Sequence, residues 1–460
     1  VSGGALPDGV GLLIEKATSL MFTLYSVLLT AAFVILSPRF LFDALRRGKY
    51  SAGFRERMGH LPEFEAGDAP VIWLHCVSVG ETQAARPLVD ELLKNFPGHK
   101  LVISTITDTG QELARQLFAD KAALIFYFPF DWKFTVRRAL KAIKPQTVLL
   151  METELWFNFL REAHKSGARV AIVNGRLSER SVRRYSWIPK FMHRVFHYVD
   201  LALMQSQGDA GRIRNIGIRN SKVRVTGNVK FDRAADGREN LLTEEFRRQF
   251  GISAEAPLIA AVSTHPPEEK LVLEAFAGIK GSSGSARSRL LLAPRHPERF
   301  DEVAALVSAA GFTSVRRTAA PGIADELADV ILLDSIGELR AIFPLSEIVF
   351  VGGSLIPHGG QNILEPAAAR RAIVTGFYTM NFAAIVEEFL AKEALIQLPQ
   401  LKEPEIAAKL AGVFTQVLED REMRERLAEN AFALMQANSG ATEKTINYLK
   451  PVLEKVSNES

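Results

Sequence analysis

Short apolar runs separated by helix-length amphipathic stretches recur along almost the whole chain, in two series. A run of four to eight apolar residues without polar alternation must be covered on both faces, as in a parallel sheet flanked by helices. In the first series the strand candidates are Val71–Ser78, Leu101–Thr105, Leu124–Phe128, Thr147–Met151, Val170–Val173, Leu201–Gln205 and Val223–Thr226. The polar stretch Arg233–Asn240 reads as a linker. The alternation restarts with Leu258–Ser263, Arg289–Ala293, Val330–Leu333, Ile348–Val351, Ala372–Thr375 and Ala394–Leu398. Gly278–Ser288, with its Lys-Gly-Ser-Ser-Gly-Ser, reads as a surface loop, and the C-terminal stretch as helical. A chain of 460 residues is too long for one core. The pattern therefore predicts an α/β protein with two Rossmann-like domains, residues 50–232 and 241–419, and a central cleft. An apolar segment at 17–38 precedes them and a helical segment at 420–460 follows. Ligands are expected at the carboxyl ends of the strands.

Charge separates the two halves. Residues 1–232 carry 32 Lys/Arg against 21 Asp/Glu, and residues 233–460 carry 24 against 31. The first half should therefore face something anionic. Ala17–Pro38 is uncharged and, at ~1.5 Å per residue, matches a bilayer core of ~30 Å. Arg39, Arg46, Arg47 and Lys49 follow it, which puts the body on the cytoplasmic side. Its Ser and Thr residues keep an interfacial anchor open as the alternative to a spanning helix. No small-residue cleavage site follows, so a signal peptide fits poorly. Met21 reads as a native first residue, which would set the Gly-rich residues before it outside the natural chain. The single cysteine, Cys76, excludes a disulfide framework and a Cys-based zinc site.

Several motifs fall at strand ends. Val351 leads into the pairs Gly352/Gly353 and Gly359/Gly360, and a helix start is expected from Asn362 to Glu365. Glycines permit close backbone approach to a ligand and a helix N-terminus attracts anions, so this loop suits a nucleotide phosphate, with Glu365 on a ribose. The plainer reading is a capping box of Asn362 and Glu365, and Pro366 makes a start at Asn362 awkward. Glu81, in Ser78-Val-Gly-Glu81, reads either as a general base for an incoming hydroxyl or as the far member of a capping box. Glu152 and Glu154 close the fourth strand, where they orient an acceptor sugar, bind a basic neighbour or help position Glu81, or else are simply acids favoured by a helix dipole. Arg176, Arg180, Arg183, Arg184, Lys190 and Arg194 interleave with Tyr185, Trp187, Phe191 and Phe196. This mixture suits anionic headgroups beside acyl chains; a solvated amphipathic helix is the plainer reading. No nucleic-acid motif accompanies it. Lys230, Ser263, Thr264, Arg295 and His296 also follow strands and suit a phosphate. The sequence has no HxH or Asp-x-Asp motif, which points to transfer without a metal and without a cofactor.

In this order the motifs resemble those of the 3-deoxy-D-manno-octulosonic acid (Kdo) transferases of lipopolysaccharide synthesis. They are Trp73-Leu-His-Cys-Val-Ser-Val-Gly-Glu81, Met151-Glu-Thr-Glu-Leu-Trp156, Arg176-Leu-Ser-Glu-Arg-Ser181 and Gly227-Asn-Val-Lys-Phe-Asp232. Pro294-Arg-His-Pro-Glu-Arg-Phe300 and Gly353-Ser-Leu-Ile-Pro-His-Gly-Gly-Gln-Asn362 with Glu365-Pro366 complete the set. The resemblance implies a GT-B fold, CMP-Kdo as donor and the lipid A precursor, a phosphorylated, acylated glucosamine disaccharide, as acceptor. It also implies Glu81 as catalytic base, inversion, and the cytoplasmic face of the inner membrane. Donor contacts are implied from Lys230, Arg295, Ser354, Gly359, Gly360, Gln361, Asn362 and Glu365. Three positions depart from the family pattern: Phe157 for Pro, Gly175 for Ala, and Phe377-Tyr378 for Pro-His. A nucleotide-sugar 2-epimerase of similar layout and a non-catalytic membrane scaffold are the rival readings.

Overall fold

The computed structural model describes residues 20–38, 53–232, 240–253, 255–280 and 287–454. Its contacts divide the described chain into two compact units, residues 20–232 with 439–454 and residues 240–438. The expected linker and the basic residues after Pro38 lie almost wholly outside the described residues. Of the loop expected at Gly278–Ser288, residues 281–286 lie outside them, and Gly278–Lys280 instead close the helix Glu268–Lys280.

The first unit is built on seven parallel strands: β1 (Val71–His75), β2 (Lys100–Thr105), β3 (Leu124–Tyr127), β4 (Thr147–Met151), β5 (Arg169–Gly175), β6 (Leu201–Met204) and β7 (Val223–Val225). Their spatial order is β3-β2-β1-β4-β5-β6-β7. All five residues of β1 are buried, as a strand covered on both faces requires. Side chains alternate between two cores: Val71, Trp73, Val148 and Leu150 face one, and Ile72, Leu74, Leu149 and Met151 the other. His75, in the same strand, is buried, stacks on Phe128 at 3.9 Å, and bonds Ser104 Oγ through Nδ1 at 2.9 Å. Burial lowers its pKa to about 3, so it serves the core as a neutral ring.

The second unit repeats the plan with β8 (Leu258–Thr264), β9 (Arg289–Pro294), β10 (Ser314–Arg316), β11 (Val330–Leu332), β12 (Ile348–Val351), β13 (Ala372–Thr375) and β14 (Ile396–Gln397). The order is β10-β11-β9-β8-β12-β13-β14, again all parallel. The short edge strand β10 has no counterpart in the sequence reading, because three half-exposed residues leave no apolar run.

The C-terminal helical segment expected at 420–460 is divided between the units. The helix Arg421–Asn438 belongs to the second, whereas Ala441–Glu454 returns to the first and buries Ile446, Leu449 and Leu453 beside Leu88, Val89 and Leu92. Asp232 caps this returning helix. Its carboxylate accepts the N–H groups of Gly440 (2.6 Å), Ala441 (3.3 Å) and Thr442 (2.6 Å).

The apolar segment at the N-terminus forms the helix Leu20–Pro38, long and apolar enough to cross a membrane. One of its faces is seated on the first unit. Phe22 is 1% exposed and packs edge-on against Phe191 at 5.2 Å. Phe33 meets Trp132 at 4.9 Å, and Thr30 Oγ1 accepts the Trp132 indole N–H at 3.0 Å. The opposite face leaves Leu24, Val27, Leu28, Val34 and Ile35 exposed. The basic, aromatic stretch is resolved in the same way: Phe191 and Phe196 belong to the core, and Trp187 (80%) and Ile188 (42%) are the exposed apolar groups among its arginines.

Replacing Asp232 with Ala strands three helix N–H groups and should lower stability by roughly 1–2 kcal/mol, as loss of a cap does. Urea unfolding measures the loss, and amide exchange should accelerate in Ala441–Glu454 before other helices.

Candidate active site

The strand order reverses between β1 and β4 in the first sheet and between β8 and β12 in the second, where the edge pair β10-β11 is also inverted. Loops leaving the carboxyl ends of such a pair turn to opposite sides and open a crevice for ligands. The motif residues are distributed around these two points.

In the first unit Ser78 caps the short helix Val79–Ala84 and accepts the Glu81 N–H at 3.4 Å. The Glu81 side chain reaches back in turn, but to Val77 rather than Ser78: Oε2 accepts the Val77 N–H at 2.8 Å and Oε1 the Ser78 hydroxyl at 3.1 Å. The capping reading is therefore correct in kind and shifted by one residue. The capping bonds do not exhaust this carboxyl. It is 6% exposed, and its pKa is raised to about 8, first by burial and then by the charges of Glu152 and Glu154. Glu154, itself partly buried, is raised by burial and by Glu152. Three acids thus converge at the reversal point.

Glu152 holds a left-handed backbone, φ +54°, which a residue with a Cβ adopts only when its surroundings enforce it. Its Oε1 pairs with Lys230 Nζ at 3.1 Å. Lys230, expected among the donor residues, thus belongs to the first unit and answers an acid of the acceptor set. Asn174 fixes this lysine's segment: Oδ1 accepts the Val229 N–H at 3.1 Å from a second left-handed position, φ +53°. Arg176 joins the group through its backbone, donating to Thr153 Oγ1 at 3.0 Å. Arg180 is exposed on the helix Glu179–Tyr185, and its side chain has no hydrogen bond or ion pair among the described residues. The structure does not bring its side chain to the acids.

In the second unit the glycine loop has an organiser that the sequence reading missed. Glu268, fully buried, accepts four backbone N–H groups: His265 (3.0 Å), Gly353 (2.6 Å), Ser354 (2.9 Å) and Leu355 (2.8 Å). A Cβ on Gly352 would stand 2.7 Å from the Ser263 carbonyl and 2.9 Å from the Glu268 carboxylate, so only glycine fits there. The N–H groups of residues 353–355 are thereby withdrawn from any ligand. Ser354 is likewise turned inwards, its hydroxyl donating to the Val351 carbonyl at 2.6 Å and accepting from the Gly376 N–H at 2.8 Å. It supports the loop and does not present its hydroxyl outwards. Thr264 is also fully buried; Ser263 is half-buried with φ +54°.

The helix after the loop starts at Leu364, two residues later than expected, and runs only to Ala368. That start places Pro366 in the first turn, where its missing donor costs nothing. Asn362 Oδ1 caps it through the Leu364 N–H at 3.0 Å. So short a helix has little dipole, and the positive character comes from side chains. The His265 ring lies 4.0 Å from His358 and 5.2 Å from His296, and Gln361 Nε2 is 3.2 Å from His265 Nε2. Burial, then His358, His296, Arg295 and Arg299, push the His265 pKa down to about 4. An anion would relieve this crowding. The Arg295 side chain is exposed and has no hydrogen bond or ion pair among the described residues, while its backbone N–H donates to the Thr264 carbonyl at 3.0 Å. Gly359 and Gly360, with φ +104° and +76°, turn the chain back, and the Asn381 N–H ties the turn to the Gly359 carbonyl at 2.9 Å. Glu365 is held through Oε1 by Arg340 at 3.2 Å. Tyr378 enters through its backbone, donating to the Ser354 carbonyl at 2.9 Å, and Gln400 donates to its hydroxyl at 3.3 Å. Among the described residues, no group of three or more His, Cys, Asp or Glu could hold a metal ion.

Two parallel sheets with charged loops at their reversal points are the architecture of GT-B glycosyltransferases and of the sugar-nucleotide epimerases that share their fold. The UDP-GlcNAc 2-epimerase of Neisseria meningitidis, solved with UDP-GlcNAc, superposes with a TM-score of 0.55 at 15% identity, over 82% of this chain and 100% of that one. Sequence kinship discriminates where fold does not. The family described as 3-Deoxy-D-manno-octulosonic-acid transferase (kdotransferase) matches residues 52–233. The 3-deoxy-D-manno-octulosonic acid transferase of Haemophilus influenzae is 31% identical over 90% of this chain and 94% of its own length. That of Bordetella pertussis is 32% identical over 83% and 87%. The chain belongs to the Kdo transferase family and is a glycosyltransferase.

Replacing Glu268 with Gln sets an amide NH2 against two of the four N–H donors whichever way it turns. Leaving those donors buried and unpaired should cost roughly 2–6 kcal/mol in urea unfolding, with faster amide exchange at 353–355.

Proposed function

We propose that this chain transfers Kdo from CMP-Kdo to the lipid A precursor, with inversion at the anomeric carbon and without a metal ion. The observation carrying this reading is the buried Glu81 carboxyl, raised to about 8 beside Glu152 and Glu154 at the sheet's reversal point. A carboxylate destabilised by burial and like charge is a stronger base than an ordinary one. In its ionised form Glu81 takes the proton of the acceptor hydroxyl. The hydroxyl oxygen bonds to the anomeric carbon of Kdo as the bond from that carbon to the CMP phosphate oxygen breaks. CMP leaves with the electron pair. Arg295, His296 and the Gln361–Asn362 backbone stabilise the phosphate, and Glu365, oriented by Arg340, accepts from the ribose. Lys230 acts on the acceptor side, where it holds Glu152.

The assay is mass spectrometry of the product after incubation with CMP-Kdo and lipid A precursor in EDTA, with the new linkage read by NMR. Growth of the acceptor by one or more Kdo units, inverted relative to the donor, is expected; no transfer, or transfer only with added metal, overturns the corresponding part. Glu81→Gln should keep CMP affinity and stability and lose ~10²–10⁴-fold in turnover. The base works deprotonated, so wild-type kcat/KM should rise with pH up to about 8, and a flat profile there would assign the residue to capping.

The outward face of the helix Leu20–Pro38, with Trp187, Ile188, Arg183, Arg184 and Lys190, is proposed to rest on the anionic cytoplasmic face of the inner membrane. Reversing Arg183, Arg184 and Lys190 to Glu should weaken binding to anionic vesicles, most strongly at low salt. Unchanged vesicle binding would leave these side chains merely solvated.

A further inference from the structure

The N-terminal helix touches the acidic loop's support through one buried carboxylate. Asp131 is 3% exposed. Its Oδ2 accepts the Tyr25 hydroxyl at 2.8 Å and the Asn158 N–H at 3.1 Å, and Oδ1 accepts the Phe159 N–H at 2.7 Å. The Asn158 amide donates to the Asp131 carbonyl at 2.6 Å and to Ser26 Oγ at 3.0 Å. Phe157, the residue that stands where the family has Pro, fills the remaining side with ring contacts of 5.0 Å to both Tyr25 and Phe191. The three residues opening the helix Phe157–Lys165 are therefore clamped between Asp131 and the N-terminal helix. Immediately before them runs Glu152–Trp156, the loop that carries Glu152 and Glu154. Its near end is held by the Glu152 N–H on the Val173 carbonyl at 3.0 Å. A strained residue such as Glu152 keeps its conformation only while both ends of its loop are fixed.

We propose that the bond between Tyr25 of the N-terminal helix and Asp131, rather than seating of the helix as a whole, positions the acidic loop for transfer, with Tyr25 and Asp131 as positioning residues acting through Asn158 and Phe159. A tether alone would need none of these polar bonds; Phe22 and Phe33 already provide apolar contact. Displacements of about 1 Å at reacting groups can cost ~10²-fold in rate, so a loosened clamp is expected to show in turnover. The inference rests on the roles given above to Glu81, Glu152 and Glu154.

The test compares the full chain, in vesicles containing anionic lipid, as wild type, Tyr25→Phe and Thr30→Val. Wild-type transfer of Kdo tests the function itself; the variants test the clamp. Tyr25→Phe keeps the ring contacts and removes one hydrogen bond to Asp131. It should lower kcat about tenfold while leaving the KM for CMP-Kdo and vesicle binding unchanged. The charged and titratable groups around Glu81 are Glu152, Glu154 and the Cys76 thiol, with Lys230 on Glu152. Moving the two acids away lowers the Glu81 carboxyl, so the rising limb of the pH–rate profile should move to lower pH. Titration of Asp131 would move it the other way, because losing the Tyr25 bond raises that carboxyl. Thr30→Val removes the Trp132 bond on the same helix without touching Asp131, and should leave kcat and the limb in place. Tyr25→Phe within twofold of wild type with an unmoved limb overturns the proposal, as does an equal loss in Thr30→Val.

Discussion

A parallel sheet covered on both faces has only its strand ends open to ligands, and everything chemical in this protein is arranged around that constraint. The apolar runs are consumed by the two cores, leaving β1 and β12 without an exposed residue. Polar chemistry is confined to the loops. Reversal of strand order spreads the loops after β1 and β4, and those after β8 and β12. Glu81 follows β1, Glu152 follows β4, His265 follows β8 and the glycine loop follows β12. Each unit thus presents two polar loops at its own reversal point.

Two buried glutamates show how environment separates structural from chemical roles. Glu268 meets four N–H donors, which offset part of its desolvation, though burial still holds its pKa raised, and which lock the loop they come from. Glu81 receives one N–H and one hydroxyl and lies among two further acids, so its charge is left partly uncompensated. The first arrangement rigidifies and the second raises basicity. A similar division holds between Asp232, spent on capping the returning helix, and Glu365, of which one oxygen is held by Arg340.

The strands were legible because parallel strands write their burial as uninterrupted apolar runs, and β4, β12 and β13 begin and end at the expected residues. β10 was not, since a three-residue edge strand is specified by its neighbour rather than by its own side chains. Within the candidate site, Glu81 and the glycine loop were visible from strand-end position and residue type. Glu268 was not: it resembles any acid in a first helical turn, and its partners at 353–355 lie 85 to 87 residues away. Arg340 and Asn174 were hidden for the same reason. The aromatic stretch at 185–196 misled in the other direction, because periodicity shows that a helix is amphipathic without showing that both Phe191 and Phe196 lie on its buried face.

The sequence by itself determined the two α/β series, the family through its ordered motifs, and the strand ends at which chemistry belongs. These are local properties: apolar period, turn residues, and the few residue types suited to a proton or a phosphate. Tertiary structure alone decided which of those residues remain free for chemistry. It spent Ser354 and the 353–355 backbone on internal bonds, paired Lys230 with Glu152, and seated the N-terminal helix on Asp131. Hydrogen bonds and charge pairs between residues far apart in the chain carry no local sequence signature, so burial and partnership, which set the pKa of Glu81, emerge only when the loops are brought together.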